Sequence, residues 1–137
     1  MLRYVLVSIG SGLLFGILDG LIHANPVAEK LYQVYKPIAR TSVNAPAGIA
    51  IDLAYGFIMA AIFLVLYKSL PGQSGIVKGL SFAILAWFFR GVMYAASTWM
   101  MFELSLKVVG YGLVTSLAEM LVLGGLYGLT LRPFSLR

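Results

Sequence analysis

Cysteine is absent from the chain. That excludes disulfides, thiolate metal sites and redox-active thiols, and it leaves the compartment unreadable from cysteine usage. Histidine occurs once, at His23. A single imidazole falls short of haem ligation and of the repeated Glu-x-x-His pairs that build di-iron sites in helix bundles. Charge is the third scarcity. Only 11% of the 137 residues are Asp, Glu, Lys or Arg, whereas a soluble domain carries about 25%. With 61% of residues hydrophobic, the chain lacks the polar residues to cover a water-facing surface. It is expected to be an integral membrane protein of one domain, with no cofactor.

What is present is four apolar runs, each near the roughly 20 helical residues that cross a hydrocarbon core. They cover about residues 4–22, 47–67, 79–99 and 109–131. The first is expected to be a retained helix, because its apolar run is longer than a signal-peptide core and no small-x-small cleavage site stands out. The fold class is therefore all-α, a four-transmembrane-helix bundle.

The connectors are unequal. "KSLPGQSGIVK" reads as a turn through its Pro-Gly pair. "MMFELSLK" is short and half apolar. The first connector is the longest and contains an amphipathic pattern. Asn25-Pro26 has the form of an N-cap followed by proline at the first helical position. Val27, Leu31, Val34 and Ile38 then recur at helical spacing, with Glu29, Lys30, Gln33 and Lys36 between them. This spacing predicts an interfacial helix over 26–36. Tyr32 and Tyr35 suit the headgroup level, and Pro37 ends the helix.

The net charge of +5 is spread over connectors and ends. That distribution suits anionic lipid headgroups and gives no reason to expect nucleic acid. Arg3, Lys68, Lys78, Arg132 and Arg137 share one side of the membrane, and Lys30, Lys36, Arg40 and Lys107 the other. The first group has no acidic neighbours and sits tight against helix ends. The expectation is a bacterial inner-membrane protein with both termini cytoplasmic. The near-balance of the two sides also allows dual insertion and antiparallel dimers.

Every apolar run carries an ionisable residue: Asp19 in the first with His23 just beyond, Asp52 in the second, Arg90 in the third and Glu119 in the fourth. Intramembrane charges face a bundle interior or a wet cavity. At 1.5 Å rise per residue, Asp19 lies roughly 5 Å and Asp52 roughly 8 Å inside the non-cytoplasmic face, and Arg90 and Glu119 roughly 13 to 15 Å. All four thus fall in one half of the membrane. Arg90 and Glu119, at matching depth on consecutive helices, are expected to pair, since an unpaired buried charge is severely penalised. Asp19 and Asp52 then remain as a carboxyl pair able to hold a proton between them. Asp19 and His23, one helical turn apart, are weak candidates for a metal. The plainer alternative is a structural hydrogen-bond cluster.

Small residues mark seams. Ser8, Gly12, Gly16 and Gly20 recur every four residues in the first run, and Gly124 and Gly128 form a second small-xxx-small pair. These seams serve either packing within the chain or a homo-oligomer. The third run, "WFFRGVMYAASTWMMF", is aromatic, with Tyr94 one turn beyond Arg90.

Helix count and charge balance are similar to those of the small multidrug transporters and the fluoride channels. The glutamate in the middle of the first helix of the former and the Thr/Phe-rich break in the third helix of the latter are both missing here, so neither family is claimed. No signature of a membrane protease, acyltransferase or haem protein is present, and enzymatic function is not the expectation. Three functions are weighed. The first is a transporter or channel-like protein handling a proton, cation or small solute through Asp19, His23, Asp52, Arg90, Tyr94 and Glu119. The second is a non-catalytic subunit of a larger membrane complex. The third is an enzyme or binder acting on a lipidic ligand. The expected partners are membrane lipids, together with further copies of the chain or other membrane subunits.

Overall fold

A computed structural model describes residues 1–133. Arg137, placed above among the basic residues of the terminal side, lies outside the described residues. All regular elements among the described residues are helices, with no strand. Helix α1 spans Leu2–His23, α2 Pro26–Leu31 and α3 Ala45–Leu66. Helix α4 spans Gly75–Trp87 and continues through a π turn at Phe88–Val92 into α5, Met93–Met101. Helix α6 spans Leu106–Thr130. Four of these are long and apolar enough to cross a membrane: α1, α3, the continuous Gly75–Met101 and α6.

Local chemistry sets the ends. Asn25 caps α2, its Oδ1 accepting from the backbone N–H of Val27 and Ala28 at 3.0 Å each, with Pro26 at the first position. Asn44, Ser74 and Ser105 cap α3, α4 and α6 in the same way. These caps explain why the third and fourth spans begin a few residues earlier than the apolar pattern predicts: Lys78 and Lys107 interrupt the apolar runs, yet the residues around them follow strong start signals. Gly72, at φ +104°, makes the Pro71-Gly72 turn with a backbone conformation that side chains disfavour. Lys78 closes this turn, donating from Nζ to the carbonyls of Tyr67 at 2.7 Å and Leu70 at 2.9 Å.

The helix predicted over 26–36 differs in kind. Its α-helical part stops at Leu31, and Tyr32–Ile38 tightens into a 3-10 helix. Pro37 has no N–H to give to the Gln33 carbonyl, so an α-helix cannot run through it. The tighter winding also directs Tyr32 and Tyr35 inward, where both are half-buried.

The spans pack as two pairs. In the first, α1 and α3 touch through backbone: a Cβ on Gly12 would lie 2.7 Å from the Asp52 carbonyl oxygen, and one on Gly56 would meet Ser8 and Gly12. In the second, Gly75 and Gly79 of α4 lie against Gly128 and Gly124 of α6, closely enough that no Cβ fits at any of the four. Dispersion and close approach, rather than the hydrophobic effect, hold helices together in lipid. Gly20, by contrast, has open space around it, so the stripe begun by Ser8, Gly12 and Gly16 ends one turn before it.

The pairs join along α1 and α6. Tyr127 is fully buried and donates to Ser11 Oγ at 3.0 Å. Around it Phe63 stacks at 5.8 Å and Phe82 meets it edge-on at 6.1 Å, while Tyr67 packs edge-on to Phe63 at 5.5 Å. This core fills the half of the bundle that holds Tyr4 and Leu131. In the other half the third span leaves α6 after the π turn, and contacts along α5 are sparse. Only 17% to 22% of each span is buried inside the protein. The outward faces are apolar, as at Ile51 and Val65, which is the surface a hydrocarbon solvent requires.

A matched pair of substitutions tests this packing. Gly124→Ala is expected to destabilise the detergent-solubilised protein by about 1–3 kcal/mol, the usual cost of overpacking. Gly20→Ala should be neutral or stabilising by up to about 1 kcal/mol, because alanine is the better helix former. Apparent Tm values of the two variants against the parent protein measure both effects.

Candidate functional site

The site begins at the π turn. A π turn inserts one extra residue into the helical repeat and is frequent at functional positions. Here it lets two consecutive residues face inward. Gly91 lies against α6, where a Cβ would be 2.8 Å from Ser116 Oγ. Arg90 reaches across the bundle instead. Its Nη1 donates to Glu119 Oε2 of α6 at 2.7 Å, and its guanidinium lies over the rings of Phe15 at 4.8 Å and Tyr55 at 5.4 Å. Those rings belong to α1 and α3 and stack on one another at 4.3 Å. Arg90 therefore touches all three other spans. A planar, weakly hydrated guanidinium suits this better than an ammonium would.

Glu119 is only 3% exposed. One of its oxygens takes the Arg90 bond, while Oε1 is buried with no hydrogen-bond partner. A buried carboxylate oxygen without a donor is costly and marks a place where a proton or ligand completes the site. Beside it, Trp87 Nε1 and Ser116 Oγ both donate to the Leu113 carbonyl, at 3.0 and 3.1 Å, fixing the wall between α4 and α6.

A second tier lies nearer the face that carries α2. Asp19 Oδ1 and His23 Nδ1 are 3.3 Å apart, and the same ring nitrogen is 2.8 Å from the Asp19 carbonyl oxygen. The His23 ring stacks on Tyr32 at 5.3 Å, and Tyr32 meets Tyr111 edge-on at 5.9 Å. Tyr111 is the latch of this region. It donates to the Ile22 carbonyl at 2.7 Å and accepts from Asn25 Nδ2 at 2.9 Å, so one side chain of α6 ties the end of α1 to the start of α2. Burial pushes the Tyr32 hydroxyl above the usual phenol range, with Tyr111 adding to the effect, and burial does the same at Tyr35. Both hydroxyls stay neutral at physiological pH.

Between the tiers is a cavity of about 590 Å³. Asp19 and His23 border it from α1, Tyr32 and Tyr35 from the 3-10 helix, Arg90 and Tyr94 from the third span, and Gly112 and Glu119 from α6. The structure thus brings together five of the six ionisable or polar candidates: Asp19, His23, Arg90, Tyr94 and Glu119. Asp52 stands apart. It does not line the cavity; its carboxylate lies on the α1–α3 seam, where a Cβ on Gly16 would be 2.5 Å from Oδ2. The rise along the helices predicts Asp52 in the same half of the bundle as the others, but helix rotation puts it on another face. No group of three or more His, Asp or Glu side chains able to hold a metal is found among the described residues.

Phe15, Tyr55 and Tyr111 also build the site, though nothing singles them out in the sequence; Ser116 joins them from the helical strip of α6 that also carries Gly112 and Glu119. Tyr111 carries the faintest signal, a tyrosine in the first turns of an apolar helix, where aromatic-belt residues are expected anyway. Comparison with family models, with curated proteins and with solved structures finds no match to this chain.

Replacing Arg90 with Met strands the Glu119 carboxylate. The expected loss is about 3–5 kcal/mol of stability, and Arg90→Met combined with Glu119→Leu should recover most of it. A double-mutant cycle on unfolding in mixed micelles measures the coupling. A loss in the double variant equal to the sum of the two single losses would show that the pair itself contributes nothing.

Proposed function

We propose that this protein is a small membrane transporter or channel-like protein that handles a proton, a cation or a small cationic solute at Glu119. The observation that carries this reading is the cavity whose wall includes a buried carboxylate with one oxygen unpartnered. Intramembrane charges are functional by default, and this one has a vacant acceptor beside a space large enough for a solute.

The geometry suggests how binding couples to movement. The α1–α3 pair and the pair formed by the third span and α6 are each locked by backbone contacts. Arg90, anchored by Glu119 within its own pair, reaches the other pair through Phe15 and Tyr55, beside the hydrogen bonds from Tyr127 to Ser11 and from Tyr111 to Ile22. A proton or cation arriving at Glu119 competes with Arg90 for the carboxylate and so loosens the anchor that holds the guanidinium against Phe15 and Tyr55. The cavity lies in the half that carries α2, while Phe63, Phe82 and Tyr127 close the opposite half. Loosening the Arg90 contact, together with the Tyr111 and Tyr127 hydrogen bonds to α1, would let the two pairs rock and expose the site to the other side, by the rigid-body logic common to transporters. Asp19 and His23, at the cavity edge, guide cations inward.

In this reading the protein resides in a bacterial inner membrane with both termini cytoplasmic, as its basic helix flanks favour. Further copies of the chain or other membrane subunits cover part of its apolar surface, and no cofactor takes part. A second reading, an accessory subunit whose polar cluster is structural, is favoured by Arg90 touching every other span. Enzymatic action on a lipidic substrate has no comparable support.

Reconstitution separates the first two readings. In liposomes loaded with a pH-sensitive dye, the protein should dissipate an imposed proton gradient. Glu119→Gln should assemble normally yet reduce that flux at least tenfold. Unchanged flux in the variant sinks the role of Glu119. A parent protein no more active than empty liposomes, copurifying with fixed membrane partners, establishes the subunit reading instead.

A further inference from the structure

The cavity's chemistry is specific enough to name a ligand class, and the inference rests on reading the cavity as a solute site. Consider first the sign of charge. Two carboxylates, Asp19 and Glu119, face one guanidinium, Arg90, among the lining residues, and Asp19 lies beside His23. The guanidinium is already committed to Glu119 Oε2 and to two aromatic faces. An anion would have to displace those contacts and sit beside a carboxylate. A cation meets no such obstacle, and the tyrosine rings of the upper tier attract it.

Next comes the need for an N–H. Glu119 Oε1 is an acceptor with no donor. A quaternary ammonium brings charge but no hydrogen to give, whereas a primary ammonium brings three. Size and polarity complete the description. A volume of about 590 Å³ lies within the roughly 300 to 1,000 Å³ of small-molecule sites. Beyond the charged floor the walls carry Ile22, Ala95, Leu104, Val108 and Val109, and the hydroxyls of Thr98, Thr115 and Ser116 are spent on backbone carbonyls.

We infer that the cavity binds an amphiphilic primary amine, with its ammonium group donating to Glu119 and its hydrocarbon body along Ile22, Val108 and Val109. Free alkylamines and the aminoethyl head of phosphatidylethanolamine share this chemistry.

Gly112 supplies a clean test. It lines the cavity, and a Cβ there meets nothing within 4 Å. Gly112→Phe starts from open space at Cβ and is expected to extend into the ligand space, with Tm checking that the fold is intact. The probe is decylammonium chloride, titrated calorimetrically into the full chain in phosphatidylcholine nanodiscs, against empty nanodiscs. Saturable binding at one site per chain is expected, at least tenfold weaker for decyltrimethylammonium and for Gly112→Phe. Glu119→Gln, if folded, should weaken it to a similar degree. Decyl sulfate should not compete. Equal binding of the two ammonium ions, full binding by Gly112→Phe, or competition by decyl sulfate each overturns the assignment. Replacing half the lipid with phosphatidylethanolamine identifies the source: inhibition of decylammonium binding points to the lipid head, and no effect to a free amine. Amine binding without proton flux would leave the ligand class standing and remove transport. Flux without amine binding would do the reverse.

Discussion

A guanidinium and a carboxylate meet at 2.7 Å between two helices that lipid surrounds, and the architecture of the site follows from that contact. Neither charge tolerates hydrocarbon alone. Together they are acceptable only if their remaining hydrogen-bonding and electrostatic needs are met nearby. For Arg90 this is arranged through aromatic faces: Phe15 and Tyr55 offer their negative ring surfaces to the cation. That solution draws α1 and α3 toward a residue of the third span, and the π turn gives Arg90 the reach to meet them. For Glu119 the arrangement is incomplete, with one oxygen served and the other left over. The asymmetry distinguishes this pair from an ordinary buried salt bridge.

The remainder of the fold can be understood as the background that keeps such a pair in place. Backbone contact at Gly12 and Gly56, and at Gly75, Gly79, Gly124 and Gly128, gives each helix pair a fixed register. The aromatic core around Tyr127 closes one half of the bundle. With that half packed, the polar residues of the other half are left around a space instead of collapsing on one another.

Much of this is legible in the sequence, and the boundary of legibility is physical. Hydropathy exposes the four spans because the membrane demands them. The pairing of Arg90 with Glu119 follows from depth alone, since rise per residue is constant along a helix. Asp52 shows where that reasoning ends. Depth is one coordinate and rotation about the helix axis is another. In a span that is apolar on nearly every side, no polar stripe tells which side turns inward. Phe15, Tyr55 and Tyr111 escape notice for the same reason, since each looks like any other lipid-facing aromatic until a neighbour is known. Gly20 misleads in a related way: equal spacing continues past the point where the partner helix diverges. The π turn leaves no pattern in "WFFRGVM" at all, because it arises from where Arg90 and Gly91 must both point.

The division into two helix pairs has a consequence for biogenesis. Arg90 and Glu119 belong to consecutive spans, joined by the short Phe102–Ser105 connector, so the cation and its counter-ion leave the insertion machinery as one hairpin. The second hairpin can neutralise its own charge while entering the bilayer. It need not wait for the first, whose rings complete the guanidinium's surroundings only on docking. A chain this short thus places two ionisable groups at mid-membrane without ever presenting either one to lipid alone for long.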